Sequence, residues 1–346
     1  MKNITLLAAL AATFAVISCN RNLELESPSP EGTVHLKVEL PGLVECQTKV
    51  TGQTDAAENN ISNCQVFVFR TDNGKLDACS FDSSLQNAGQ FSVDLDCTVG
   101  ERRIWAIVNA AADYTSTIRD ESSLKALTTD LKDNASNSLF MIGNATSNLT
   151  EGTCSVSVSV KRAAASIILQ KISVDMVAPA YRGAGLFKVE KIYLLNVCGR
   201  TNFALDTQSS SVSPDYWYAR LQEETDSAKK RLVADDLASP LTIENGSSSA
   251  TKYTFYAYPN DCAHSTSSTF SPRATLLVVE ARLDGQKYYY PFQFESLKSN
   301  SRYIISNLTV HRPGSASPYE PVLFSTATAN ITVAGWDEAA GKNVEI

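Results

Sequence analysis

Cys19 is the residue of this sequence whose surroundings most directly specify a reaction. It closes the tetrad Val16-Ile17-Ser18-Cys19, which ends a mostly apolar run from Ile4 to Ile17 with Lys2 ahead of it. A short positive region followed by an apolar stretch has the form of an export signal, too short and too early for a membrane span. A cysteine at its end reads as a lipobox, cut just before Cys19, whose thiol then carries lipid. Acyl chains favour the membrane-bound state by roughly 0.8 kcal/mol per buried CH₂, so several chains hold firmly where one does not. Residues 1–18 are therefore expected to be a signal peptide. Residues 19–32, polar and containing Pro28 and Pro30, are expected to be a flexible tether.

The remaining chemistry-bearing residues do not assemble into a reactive pattern. The three histidines, His35, His264 and His311, are scattered. Neither GxSxG, HExxH, GxxxxGK[ST] nor CxxC occurs, so no nucleophile elbow, zincin, phosphate loop or thioredoxin-like site is signalled. Asp94 and Asp96 resemble a catalytic couple on paper, but they alternate with Val93 and Leu95 and read as the wet face of a strand. A glycosidase could draw two carboxylates from anywhere among 37 acids. Tyrosines cluster at 253–258 and 288–290, a pattern that suits a sugar-stacking platform and, more often, a packed sheet face. The balance of 30 Lys+Arg against 37 Asp+Glu, net -7, argues against a nucleic-acid binder. No catalytic residue, metal ligand or cofactor is expected.

Seven cysteines follow Cys19, and export permits disulfides. Cys46, Cys64, Cys79 and Cys97 fall close together, and bridges within this group are expected without a defined pairing.

The elements that position these residues are mostly strands, because the apolar period is two. Val34, Leu36, Val38 and Leu40 share one face of 33–40; Phe91, Val93, Leu95 and Cys97 share one face of 91–97. Further strands are expected at 64–69, 103–108, 139–142, 154–160, 163–174, 187–195, 252–258, 275–282, 287–294, 302–310 and 329–334. A helix is expected within 115–131, where Ile118, Leu124, Leu127 and Leu131 fit one face, and a short helix or long loop within 216–234. Asn144 to Gly152 is polar and turn-rich, so a boundary falls near 150. The chain thus reads as dominated by β-structure, with β-sandwich domains at 33–150 and 151–346 and minor helical segments.

Several segments, in their order and spacing, resemble one family. They are ISNCQVFVFR (61–70), RRIWAIVNAAADY (102–114), LKALTTDL (124–131), VKRAAASIILQKISV (160–174), FYAYPN (255–260), SRYIISNLTVHRPGS (301–315) and ANITVAGW (329–336). Together they are similar to the fimbrillin family of Bacteroidetes, the FimA-like subunits of type V pili. The resemblance implies two transthyretin-like sandwiches, exported as an outer-membrane lipoprotein. It implies removal of the lipid and first strand by a trypsin-like protease, then polymerisation by donor-strand exchange into an extracellular fimbrium for adhesion and biofilm formation. Val34, Leu36, Val38 and Leu40 are the residues the groove would lose. Ile331 and Val333, with Ala329, are those a donor tail at about 329–346 would insert, and Trp336 is its anchor. The implied partners are other copies, anchor and tip subunits, the protease, and host or bacterial surface receptors.

One feature departs from that pattern. The family places an arginine soon after the first strand, whereas no arginine lies between Arg21 and Arg70, and Lys49 is the sole basic residue of the 41–63 loop. Lys49 is therefore the expected cut site. Asp226-Ser227-Ala228 is similar to the O-glycosylation triplet of exported Bacteroidetes proteins, with Ser227 as acceptor. A shaft role is favoured over a tip or accessory adhesin. The readings outside the family are a non-polymerising glycan-binding lipoprotein and a glycan hydrolase.

Lipidation is the first testable expectation. Cys19→Ala should leave unlipidated precursor that fails to reach the cell surface, read by surface immunoblot. Normal surface amounts of the variant would refute the lipoprotein route.

Overall fold

A strand that alternates dry and wet residues needs an apolar partner on one side only, and one buried on both faces reads as a continuous apolar run. Both kinds occur in the computed structural model, which describes residues 33–40, 57–85, 91–205, 216–249, 251–262, 270–322, 327–335 and 338–345. The fold is almost all-β, with 52% strand and 8% helix.

The first part contains β1 (Thr33–Leu40), β2 (Cys64–Arg70), β3 (Leu76–Asp82), β4 (Phe91–Thr98), β5 (Gly100–Val108), α1 (Glu121–Ala126), β6 (Thr128–Asp130), β7 (Met141–Leu149), β8 (Gly152–Ser157) and β9 (Lys161–Arg162). A three-stranded sheet, β4-β1-β8, packs on a five-stranded sheet, β3-β2-β5-β7-β9. Val66, Val68, Ile104 and Ala106 meet Phe91, Cys97, Val156 and Val158 in one buried cluster. The other face of the larger sheet, with Phe67, Phe69, Trp105 and Ile107, is covered by Ile118, Leu124, Leu131 and Leu139. This two-sided burial explains why 64–69 and 103–108 are apolar without alternation.

The second part contains β10 (Ala165–Leu169), β11 (Ile172–Val174), β12 (Phe187–Leu195), β13 (Val197–Cys198), β14 (Arg200–Asn202), β15 (Trp217–Tyr218), α2 (Ser227–Lys230), β16 (Ala234–Thr242), β17 (Ser247–Ser248) and β18 (Tyr253–Ala257). It continues with β19 (Asn260–Asp261), β20 (Leu276–Leu283), β21 (Gln286–Gln293), β22 (Ser296–Leu297), β23 (Ser301–Val310), β24 (Ala327–Gly335) and β25 (Glu338–Glu345). One sheet runs β17-β11-β23-β10-β18, with β24 added to β23 and β25 to β24; the other runs β16-β12-β20-β21. Ile167, Leu169, Phe255 and Ile305 of the first share a core with Val189, Ile192, Leu194, Leu277 and Val279 of the second.

Three local expectations change. The helix expected within 115–131 shrinks to Glu121–Ala126, capped by Asp120, whose side chain accepts from the Ser123 backbone N–H. Residues 128–130 instead pair with 200–202, Asp130 opposite Arg200, so a strand contact between the two halves overrides helical periodicity. Most of the polar segment 144–152 is strand, paired along β5 with Asn144 opposite Trp105 and Leu149 opposite Gly100. The disulfides expected among the clustered cysteines are not formed where they can be followed: Cys64 and Cys79 are free thiols. Cys79 stands opposite Phe67, and Cys64 lies three residues before that position. The odd spacing puts the two thiols on opposite faces of the sheet, beyond bridging distance. Cys46 lies outside the described residues.

At one end of the first sandwich, Asp77 receives Arg102 Nε at 2.8 Å and the Thr98 backbone N–H at 2.9 Å, with both charged side chains nearly buried. Breaking a buried pair from one side leaves the other charge in a dry site. Asp77→Ala should therefore lower unfolding free energy by about 3 kcal/mol in urea denaturation.

Candidate functional site

β1 occupies a position that no other strand of its sheet can fill. It pairs antiparallel with β4 and parallel with β8, and those two neighbours do not pair with each other. Val34 stands opposite Cys97 and Gly152, Leu36 opposite Leu95 and Cys154, Val38 opposite Val93 and Val156, and Leu40 opposite Phe91. Phe91, Cys97 and Val156 belong to the buried core, and Val93, Leu95 and Cys154 pack against it. The wall that β1 covers is therefore apolar. Burial, and then the charge of Asp77, push the Cys97 thiol up to about 11. Asp94 and Asp96 are exposed, in register with Lys37 and His35. Among the described residues, no group of three or more His, Cys, Asp or Glu is placed to hold a metal ion.

The expected donor residues lie at the far margin of the second sandwich. Ala329 stands opposite Leu308, Ile331 opposite Ile305 and Val333 opposite Tyr303 of β23, and β25 folds back along β24. The tail thus pairs with its own subunit as a hairpin added to the sheet. Cys19, Lys49 and Trp336 lie outside the described residues. The stretch 313–321, whose Gly, Pro and Ser content is that of a linker, is docked: Tyr289 and Ser315 exchange two backbone hydrogen bonds of 2.9 Å.

A charged seam joins the two ends. Glu58, nine residues after Lys49 in sequence, accepts from the Tyr256 hydroxyl at 2.7 Å and from Arg302 Nη2 at 2.6 Å. Its backbone carbonyl accepts from Arg162 Nε at 3.2 Å. Arg302 stands opposite Ala334 of β24. Nothing in the local sequence marks Glu58, because its partners are 104 to 244 residues away.

The tyrosine platform is not presented to solvent. Tyr253, Tyr256, Tyr258 and Tyr290 are buried, and Tyr288 and Tyr289 are half-buried. Tyr258 bonds Thr129 and Asn134 across the halves, at 3.0 Å each. Burial and then Glu58 drive the Tyr256 hydroxyl far above its usual range. Ser227 is exposed and opens α2; Asp226 caps that helix, accepting from the Ala228 N–H at 2.9 Å.

The structure thus combines paired sandwiches, a first strand held between two strands that do not pair with each other, and a terminal hairpin added to a sheet of the second sandwich. Residues 33–165 match the family model described as major fimbrial subunit protein (FimA). No curated protein matches it in sequence. Among solved structures, it is similar to a candidate cell adhesion protein from Bacteroides eggerthii, at 19% identity and TM-score 0.64, over 90% of this chain and 97% of that one. It is also similar to a fimbrilin from Porphyromonas gingivalis, at 16% identity and TM-score 0.63, over 88% and 98%. A third similarity is to the C-terminally truncated tip fimbrial protein Mfa3 of Porphyromonas gingivalis, at 12% identity and TM-score 0.52, over 91% and 100%.

The Glu58 seam yields a direct test. Glu58→Ala removes a carboxylate from a nearly dry guanidinium, a change expected to cost about 3 kcal/mol. Thermal denaturation should show the loss, and a double-mutant cycle with Arg302→Met should recover most of it.

Proposed function

We propose that this protein is a structural, non-catalytic subunit of a surface fimbria, carried to the outer membrane as a lipoprotein lipidated at Cys19. Cleavage after Lys49 separates β1 from the body, and the C-terminal segment of another copy fills the vacated groove. The carrying observation is the place of β1 between β4 and β8. Its removal exposes two rows of backbone N–H and C=O groups and an apolar wall, and an incoming strand satisfies both. Donor and acceptor are different surfaces of one molecule, so the contact is heterologous and extends rather than closes. The pairing of β24 and β25 on β23 is then the stored form of the tail before assembly. The match of residues 33–165 to the family model described as major fimbrial subunit protein (FimA) supports the same reading.

The finer parts of this reading belong together. Each pair of sheets is a transthyretin-like sandwich, and the subunit belongs to the shaft. Its partners are further copies, related anchor and tip subunits, a trypsin-like protease that accepts lysine, and surface receptors met through the finished fimbria. Exposed Ser227 is its O-glycan acceptor.

Purified precursor, cut with a trypsin-class protease, should form ladders on gels and filaments by electron microscopy. Protein lacking 329–346 should stay folded and monomeric. Ile331→Asp should do nearly the same, since burying Ile stabilises by roughly 1.5–3 kcal/mol and an unpaired carboxylate reverses that gain. Equal polymerisation of full-length and truncated protein would refute strand donation.

Loss of β1 should also uncover Cys97. Its alkylation at pH 8 should rise at least about tenfold in cut, unassembled subunit, because the buried thiol gains solvent and thiolate character. Cys198, buried in the second sandwich with its thiol pushed up to about 12 by burial, is the internal control. Peptide mass mapping reads both sites.

A further inference from the structure

Val310 and Ala327 are register partners at the ends of β23 and β24. A hairpin connection of about 2–5 residues would close such a pair. Here 16 residues, 311–326, intervene, and those up to Val322 run over the other sheet. Ser315 exchanges two backbone hydrogen bonds of 2.9 Å with Tyr289 of β21, and Tyr290 Oη donates to the Arg312 carbonyl at 3.2 Å. Gly314 passes so close that a Cβ there would lie 2.4 Å from the Tyr289 carbonyl oxygen and 3.0 Å from the Tyr290 ring. Ser317 and Tyr319 donate their backbone N–H groups to the hydroxyls of Ser315 and Ser317, which shapes the segment from within. Tyr319 then packs with Tyr289 against Tyr193, Leu195, Leu276 and Val278, an apolar cluster separate from the main core. Val322 is buried.

The geometry points to a fixed strap: residues 312–322 stay on the donor's own second sandwich, and the part of the chain that is exchanged begins only after Val322. This rests on the strand-donation reading above and specifies where the donated segment starts. The docked stretch covers an apolar cluster and fills an edge position of β21, so lifting it would expose both. By contrast, β24 and β25 exchange one backbone partner for another. The strap also limits reach. From 323 to 346 there are 24 residues, at most about 80 Å when extended, against about 120 Å if the chain were free from 311.

Two engineered disulfides separate the cases. Tyr289→Cys with Ser315→Cys locks the strap to β21 at a hydrogen-bonded pair, whose Cα spacing suits a disulfide. Ile304→Cys with Thr332→Cys locks β24 to β23 within the donated segment, where those two residues are register partners. Each bridge is confirmed by peptide mapping, and reduction provides the control. The expected result is ladders from the strap-locked subunit at the wild-type rate, and at least about a tenfold loss from the tail-locked subunit, restored by reduction. A strap lock that blocks ladders until reduced would overturn the strap while leaving strand donation intact. A tail lock that polymerises normally would overturn strand donation itself. Hydrogen exchange on unmodified protein gives a second readout. The Ser315 and Tyr289 amides should keep their protection from precursor to polymer, and loss of that protection would refute the strap.

Discussion

Backbone hydrogen bonding along the facing edges of β4 and β8 is the constraint on which the rest of the molecule depends. Neither strand pairs with the other, and both pair with β1. A sheet built this way is complete only while a third strand lies in the middle, yet nothing in the pairing requires that strand to come from the same chain. The apolar wall beneath, with Phe91, Cys97 and Val156, adds a hydrophobic reason for the position to be filled. A single arrangement thus completes the sheet while β1 is in place and, on the proposed reading, leaves a groove for another strand once β1 is removed.

The rest of the fold keeps that reactive site on a rigid body. β2 and β5 are buried on both faces, and the covering segment 109–140 reaches the second sandwich through the pairing of β6 with β14. Arg200 closes on Asp130 at 3.0 Å beside that short ladder. Glu58 adds a charged contact from the opposite side, tying the start of the body to β23. The anchor at Glu58 lies on the body side of the proposed cut, so losing β1 need not break it.

The tail obeys the same logic in reverse. β24 and β25 use the outer margin of the seven-stranded sheet, where they satisfy an edge that would otherwise be exposed. The hairpin keeps its backbone paired, and on the proposed reading it is a stored tail whose point of origin the docked stretch holds on the parent subunit.

Much of this was legible in the residues themselves. Period-two alternation located β1, β4, β12 and β23 closely, because a half-buried strand writes its dry face into every second position. The face containing Val34, Leu36, Val38 and Leu40, and the alternating strand ending at Ala334, followed from the same rule. Length limits what such a rule can reach. Leu127 and Leu131 continue the apolar spacing of Leu124, but Thr128–Asp130 pairs with residues 70 to 74 positions away, and that contact decides the backbone. Cys64 and Cys79 are close in sequence, yet sheet register sets them on opposite faces. The Gly- and Pro-containing stretch at 313–321 has the composition of a free linker, and only the edge of β21 turns it into a docked one. Sequence alone determined which residues seek burial and which segments extend, since these follow from side-chain chemistry and local geometry. Tertiary structure decided which edges meet, because hydrogen-bond partners, ion pairs such as Glu58–Arg302 and the seat of β1 depend on contacts between distant residues.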